Sequence, residues 1–532
     1  MPLAFRKQIS ARRALTERRK TLIVSMIVAL GLALAIVVLM VGCGGVSPTV
    51  APPPLPAPNA APLSISDVQN IVQVAAETSD SPSMVIAVVD RGGAVLAVFR
   101  KPSAASSATG NFGATVDSND LAVALARTAA YFSNNQAPLS SRTVRFISGI
   151  HFPPGVTNTS NAALYGIENT NRGCTLSTNF LPGQALQPSL SLSGGTGLGI
   201  ITGKADLNDS DPHAVNPGGV PIFRNGVVVG GVGVTGVAPD LAEYAAFKAA
   251  TSNGFGPTPA PPGVVVINGI SLPFVNQTTA PSGTNPGSFT GTFFQGPSPS
   301  AGQPAEGDLV SPVAGPIGGL TSSDVQQILT NAEHTANQTR AAIRLPLGSR
   351  ARMVIAVADL DGTIIGLRRM SDSTVFSVDV AVTKARNMVY FNSSSRTAAD
   401  LTQVPSGTAV TSRTIGFGAQ PFFPPGIDGS SAGPFFNLYQ QDLANPCTQG
   451  FQSGPPDSNK SGIIFFPGSV GLYRNGVLVG GLGVSGDGVD QDDFVTNGGS
   501  VGFESPTEIR ADQLSIQNVR LPYLKFPANP TL

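Results

Sequence analysis

Apolar positions along this chain follow two periods, and the same order of periods occurs twice. Val68, Ile71, Val72 and Ala75 recur at helical spacing, as do Val325, Ile328, Leu329 and Ala332, which predicts a helix at the head of each half. Each follows a Ser/Thr cap with an acid three residues on, Ser64 with Asp67 and Thr321 with Asp324, the pattern of a capping box. Strand-like runs at 85–89 and 95–99 then flank Asp90-Arg91-Gly92-Gly93, and runs at 354–358 and 363–367 flank Asp361-Gly362. Both predict a hairpin. Few breakers interrupt 121–132 and 380–391, which predict a second helix. A closing hairpin turns at Asn225-Gly226 and at Asn475-Gly476, residues suited to a type I′ turn. Helix, hairpin, helix, hairpin predicts an α+β architecture, an antiparallel sheet with helices packed against it.

The halves also match residue by residue. The segment 224–236, RNGVVVGGVGVTG, returns at 474–486 as RNGVLVGGLGVSG. Tyr131-Phe132 matches Tyr390-Phe391, Ser141-Arg142-Thr143 matches Ser412-Arg413-Thr414, and Phe152-Pro153-Pro154-Gly155 matches Phe423-Pro424-Pro425-Gly426. A unit this long is a duplicated domain, not a solenoid repeat of roughly 20–50 residues. Gly254-Phe255 against Gly502-Phe503, and Leu272-Pro273 against Leu521-Pro522, extend the match to the end of each half. The boundaries read are a first domain over 63–275, a Pro/Gly/Ser-rich linker over 276–319 and a second domain over 320–532.

The N-terminal region has a different character. Arg6, Lys7, Arg12, Arg13, Arg18, Arg19 and Lys20 precede an apolar run over about 21–42 that ends Met40-Val41-Gly42-Cys43. The run is long enough to span a bilayer, with positive charge to orient it. Cys43 sits as in a bacterial lipobox, with Met where Leu is usual. Residues 1–43 are therefore read as a lipoprotein signal lipidated at Cys43 or as an uncleaved transmembrane anchor. The Pro-rich stretch 44–62 reads as an extended tether. The expected location is exported and membrane-anchored, at the bacterial periplasm or cell surface. Charged residues make up 12% of the chain and the net charge is zero, so beyond the N-terminus no basic patch points to nucleic acid.

Two further cysteines, Cys174 and Cys447, lie 22 residues after Phe152 and 24 after Phe423. In an oxidising compartment, equivalent residues of two copies packed about a pseudo-twofold axis can meet near that axis. A Cys174–Cys447 bridge and a pair of buried free thiols both remain open.

Taken together, VIAVVDRGGAVLAVFR, LAVALARTAAYF and GGVPIFRNGVVVGGVGVTG, with MVIAVADLDGTIIGLRRM, VAVTKARNMVYF and RNGVLVGGLGVSG in the second copy, resemble the HbpS/GlcG-like domain. That domain also forms the C-terminal part of some corrinoid adenosyltransferases. The resemblance covers the core of both copies, without the Phe-Pro-Pro-Gly and Cys insertions or the C-terminal extensions. It implies two profilin-like domains, frequent self-association and, in some members, binding of haem or a related tetrapyrrole. One branch is described as haem-degrading.

Haem needs an axial ligand and an apolar slot with cations for its propionates. His334 ranks first, because some members of the family coordinate haem from this helix; copy one has Glu77 there. His151, beside Phe152, is a second candidate, and His213 reads as an exposed turn. Arg127 and Tyr131 lie four apart on one helical face and match Arg386 and Tyr390. They read as a propionate clamp with an aromatic wall, or as Arg stems packed on buried tyrosines. Lys384 is replaced by Leu125 in copy one, so a function resting on that lysine would belong to copy two alone. The Gly-x-Gly-x-x-Gly strings at 231–236 and 481–486 lie in the second arm of a hairpin, outside the strand-to-helix context of a dinucleotide site. The glycines are read as letting strands or a neighbouring subunit approach closely. No zinc-type spacing and no Cys-x-x-Cys-His motif occurs. The expected function is extracytoplasmic binding of haem or another flat apolar ligand. A protein-interaction module and a haem-degrading enzyme are the alternatives.

Overall fold

The computed structural model describes residues 60–109, 115–167, 217–256, 265–296, 302–394, 396–444 and 462–531. Cys43, Cys174, His213 and Cys447 lie outside them, as do the N-terminal apolar run and nearly all of the Pro-rich tether. Copy one opens with α1 (Ile65–Glu77), capped by the Ser64/Asp67 box that its sequence predicts. The hairpin β1 (Val85–Asp90) and β2 (Val95–Arg100) follows, then a small hairpin, β3 (Ser107–Thr109) and β4 (Thr115–Asp117). Helix α2 (Ser118–Phe132) begins three residues before the apolar pattern does, because the Asp117 side chain accepts from the backbone N–H groups of Asn119 and Asp120. The short α3 (Ser141–Phe146), the closing hairpin β5 (Gly219–Arg224) and β6 (Val227–Thr235), α4 (Pro239–Ala250) and the hairpin β7 (Val266–Ile267) and β8 (Ile270–Ser271) complete the copy.

The stretch read as a linker carries two strands, β9 (Thr292–Gln295) and β10 (Gly307–Val310). Copy two then repeats the plan with α5 (Ser322–Gln338), β11 (Val354–Ala358), β12 (Ile364–Arg369), α6 (Ser377–Asn392) and α7 (Ser412–Gly418). An inserted α8 (Phe436–Ala444) precedes β13 (Ser469–Arg474), β14 (Val477–Ser485), α9 (Val489–Gly499) and the hairpin β15 (Ser515–Ile516) and β16 (Val519–Arg520). The two five-stranded antiparallel sheets have equivalent orders, β5-β6-β1-β2-β9 and β13-β14-β11-β12-β10. The linker thus covers the open edge of each sheet in turn, leaving neither β2 nor β12 as a free template for strand pairing.

Each sheet is covered by helices on both faces, because its strands bury alternate residues on opposite sides. Met84, Ile86 and Val88 join a core with Ile71 of α1 and Ala245 of α4. Val85, Ala87 and Val89 point the other way, toward Ala122 and Ala126 of α2. That second core is continuous with copy two, including Val354, Ala381 and Leu482. Both copies belong to one compact unit, Pro56–Leu532.

The glycines on β6 and β14 seat the central helices. A Cβ added at Gly231 would overlap the Ala126 carbonyl oxygen, and one at Gly481 would overlap that of Ala385. The close approach is therefore between strand and helix within each copy. At the hairpin ends, Asn225 and Gly226 (φ 52° and 80°) and Asn475 and Gly476 (φ 51° and 78°) take the left-handed conformations of a type I′ turn. The C-terminal extensions are bonded into the fold, with the Thr143 hydroxyl donating to the Pro273 carbonyl at 2.6 Å and that of Thr414 to Pro522 at 2.7 Å.

The copies meet along two seams. At one, Phe132 stacks on Phe376 at 4.0 Å and the Val375 N–H donates to the Tyr131 carbonyl at 3.0 Å. At the other, the two Phe-Pro-Pro-Gly loops, each with a cis Phe-Pro bond, face one another. Tyr165 stacks on Tyr439 at 5.3 Å, and Asp428 and Asn158 exchange side-chain-to-backbone hydrogen bonds at 3.1 Å.

Candidate functional site

Helix α5 owes its place to Val325, Ile328, Leu329, Ala332 and Ala336, which turn one stripe into the core. His334 falls off that stripe and is exposed. Its Nε2 lies 3.0 Å from Nε2 of Gln338, one turn on. Beside it, Glu333 accepts from Arg368 Nη1 at 2.8 Å, and the same guanidinium pairs with Asp308 of β10 at 2.6 Å. Asn337 accepts from Arg352 Nη1 at 3.0 Å. Toward the start of the helix, Pro312, Ser322, Ser323, Gln326, Gln327, Thr330 and Asn331 line an open cleft of about 500 Å³. The surface around His334 is thus polar, and Arg368 is already committed to two carboxylates.

His151, by contrast, is buried. Its Nε2 lies 2.9 Å from Oδ1 of Asp428 across the seam between copies. The hydrogen bond from His151 holds the Asp428 carboxyl below the usual carboxylate range. The imidazole serves as a tie between the two loops.

The residues read as a clamp lie in the interior. Arg127 Nε donates to the Gly93 carbonyl at 3.0 Å, and Arg386 Nε to that of Gly362 at 2.9 Å. The equivalent arginines therefore hold the turn of the first hairpin in each copy. Burial pushes Arg127 down, and Arg386 down to about 10. Tyr131 is fully buried, and the Tyr390 hydroxyl donates to Asp400 at 2.7 Å. Burial raises both phenols well above their ordinary value. Lys384 is buried too, donating to Asp492 at 3.0 Å and to the Val484 carbonyl at 2.7 Å, with its ammonium 4.9 Å from the Phe466 ring centroid. Arg127, Tyr131, Lys384, Arg386 and Tyr390 present no polar atom to a surface slot. For Arg127, Tyr131, Arg386 and Tyr390 the positions match the reading of arginines packed beside buried tyrosines; the hairpin-turn carbonyls that the arginines reach are not legible, because helical spacing places residues on a face without saying what that face meets.

Among the described residues, His334 is the histidine whose ring is open to a ligand, and no group of His, Cys, Asp and Glu is arranged to hold a metal ion. The fit to haem is therefore partial. His334 offers an axial nitrogen, while the surrounding polar side chains do not enclose a macrocycle. Also among the described residues, no helix is long and apolar enough to cross a membrane.

A duplicated α+β unit with helices on both faces of an antiparallel sheet defines the class. The chain belongs to the HbpS-like family, described as haem degrading protein HbpS-like, whose model matches residues 63–251 and 320–499. Solved structures similar to it include a PduOC:heme complex, at 23% identity and TM-score 0.23, covering 35% of this chain and 95% of that one. Another is protein ORFY of Klebsiella pneumoniae, a DUF336 protein, at 21% identity and TM-score 0.22, covering 34% and 86%. No curated protein matches the chain.

Proposed function

We propose that this protein binds haem or a closely related tetrapyrrole outside the cytoplasm, at the exposed face of α5, with His334 as the iron ligand. The observation that carries the reading is the accessible imidazole of His334 on a chain of the HbpS-like family. Bound haem would supply an iron centre open to axial coordination. The protein's part is to offer the imidazole from a helix fixed by its buried stripe, with Gln338 beside the ring. Because the flanking surface is polar, binding by one chain is open and readily exchanged. That suits a carrier or sensor of haem better than a closed reaction chamber.

The basic N-terminus, the apolar run to Cys43 and the Pro-rich stretch support a membrane-held position, through lipidation of Cys43 or an uncleaved anchor. The stacked Tyr165 and Tyr439 support a Cys174–Cys447 bridge, since the cysteines follow these tyrosines by nine and eight residues.

A haemin titration of the full-length protein, followed by its Soret band, tests the reading beside His334→Ala. A saturable shift weakened at least about tenfold by the substitution supports it, a loss of about 1.4 kcal/mol. A saturable shift unchanged by the substitution removes His334 from the site. No shift beyond that of an unrelated protein leaves the chain as a protein-interaction module.

A further inference from the structure

The two copies differ just beyond the helix that carries His334. Between Glu77 of copy one and β1 lie residues 78–84, without an arginine. Between His334 and β11 lie residues 335–353, with Arg340, Arg344, Arg350 and Arg352. The extra, arginine-bearing residues thus occur in the copy that has the histidine. Arg344 is buried and pairs with Asp372 at 2.6 Å and with Asp487. The other three are half-buried at the surface. Arg352 Nη1 donates to Asn337 Oδ1 at 3.0 Å. Arg350 Nη1 donates to the Gln338 carbonyl at 3.0 Å and to that of Thr531 at 3.1 Å. Arg340 donates to the carbonyls of Ala528 and Asn529 at 2.6 and 3.0 Å. Among the described residues, the bonds of these three guanidiniums go to carbonyl and amide oxygens, not to carboxylates.

These contacts fix the guanidiniums of Arg350 and Arg352 about one helical turn beyond His334. Asn337 and Gln338 follow His334 by three and four residues and so share its face of α5. Gln338 Nε2 also lies 3.0 Å from the imidazole Nε2. Charge around the imidazole is therefore uneven. Toward the start of the helix, the residues lining the cleft are uncharged. Beside His334 in sequence, Glu333 shares Arg368 with Asp308, two negative charges on one positive. Toward the end of the helix stand two arginines that no carboxylate holds.

We propose that Arg350 and Arg352 take the two propionate carboxylates of a haem held by His334, so that the macrocycle lies along α5 with its acidic edge toward the end of the helix and its opposite edge over the uncharged cleft. This rests on the reading of His334 as the iron ligand. Haem carries both carboxylates on one edge, and the guanidinium fork matches a carboxylate in shape and charge. Turned the other way about the iron, that edge would gain no cation from the cleft; turned sideways, it would meet the like charges of Glu333 and Asp308. The arginines would then select tetrapyrroles by their free carboxylates. Copy one, with Glu77 in place of the histidine and no arginine in 78–84, lacks both halves of the site.

Soret titrations of the full-length protein with haemin and with haemin dimethyl ester, whose carboxylates are blocked, test this. Haemin should bind about tenfold more tightly than the ester, the worth of two partly exposed ion pairs. Arg350→Ala combined with Arg352→Ala should bring haemin down to the affinity of the ester while leaving ester binding and the Soret maximum unchanged, because the iron ligand remains. His334→Ala should weaken both probes. The comparison of the two probes uses the unaltered protein, so it stands even if the double variant fails to fold. Equal affinity for haemin and ester, or a preference for haemin that survives both arginine substitutions, would overturn the role of the arginines and leave His334 in place. No saturable shift with either probe would overturn the iron site and this orientation together.

Discussion

Replacing Lys384 with leucine tests what that lysine is for. In copy two, Lys384 and Asp492 form a buried pair, 0% and 2% exposed, with nitrogen and oxygen 3.0 Å apart. Copy one has Leu125 and Ala242 at the equivalent places, both buried. The duplication thus already contains the double replacement. Removing the lysine alone leaves Asp492 buried without its counter-charge, which should cost about 3–5 kcal/mol. Lys384→Leu combined with Asp492→Ala restores the solution used by copy one and should recover all but about 1 kcal/mol of this. The sign with pH follows from Asp492, which burial lifts to about 7 against the partial opposition of Lys384. A carboxyl raised in the fold contributes stability at low pH that is lost as pH rises through its folded value. Without Lys384 the value rises further, so the deficit of the single variant should be largest above pH 7 and shrink toward pH 5. Urea denaturation at pH 8 and pH 5, followed by circular dichroism, measures it. A single variant within about 1 kcal/mol of the parent, a deficit equal at both pH values, or a double variant as damaged as the single one would refute the reasoning.

Other elements give further expectations. Gly481→Ala places a methyl against the Ala385 carbonyl and should cost about 1–3 kcal/mol through overpacking, read as a lowered urea midpoint. Peptide mapping without reductant should recover Cys174 and Cys447 in one linked fragment; two free thiols would remove the proposed bridge. The lowered value of Asp428 makes its contribution present above the ordinary carboxylate range and lost as pH falls through the folded value. Asp428→Asn should therefore lower stability at pH 7 and flatten its decline in acid, checked by melts from pH 7 to pH 3.

Much of the framework was legible because each element carries its own local signal. The capping boxes at Ser64 and Thr321, the apolar spacing of α1 and α5 and the Asn-Gly turns all have local causes. Helix α4 carries a weaker local signal, Pro239 at its first turn and alanines at 242, 245, 246 and 249 in place of larger apolar residues. The repeated Ser-Arg-Thr matches between copies, but its meaning, the first turn of α3 and α7, depends on the caps Ser140 and Thr411 that precede it. The strands in the linker had no comparable signal. Their four-residue runs, Thr-Phe-Phe-Gln and Gly-Asp-Leu-Val, are too short to show a period and gain their order from the sheets they join. At the site, helical spacing put His334 off the buried stripe, but nothing local could show that Arg127 and Arg386 reach inward to a hairpin turn. Nor could it show that His151 finds Asp428 in the other copy. Those contacts depend on how the two copies pack.

The central claim is that His334 carries haem iron on an open helix face. Iron anomalous scattering from haem-soaked crystals of the full-length protein tests it most directly. The account predicts a single iron peak bonded to Nε2 of His334, with the Gln338 side chain displaced from that nitrogen. An iron peak elsewhere on the molecule, or none at saturating haem, would contradict it.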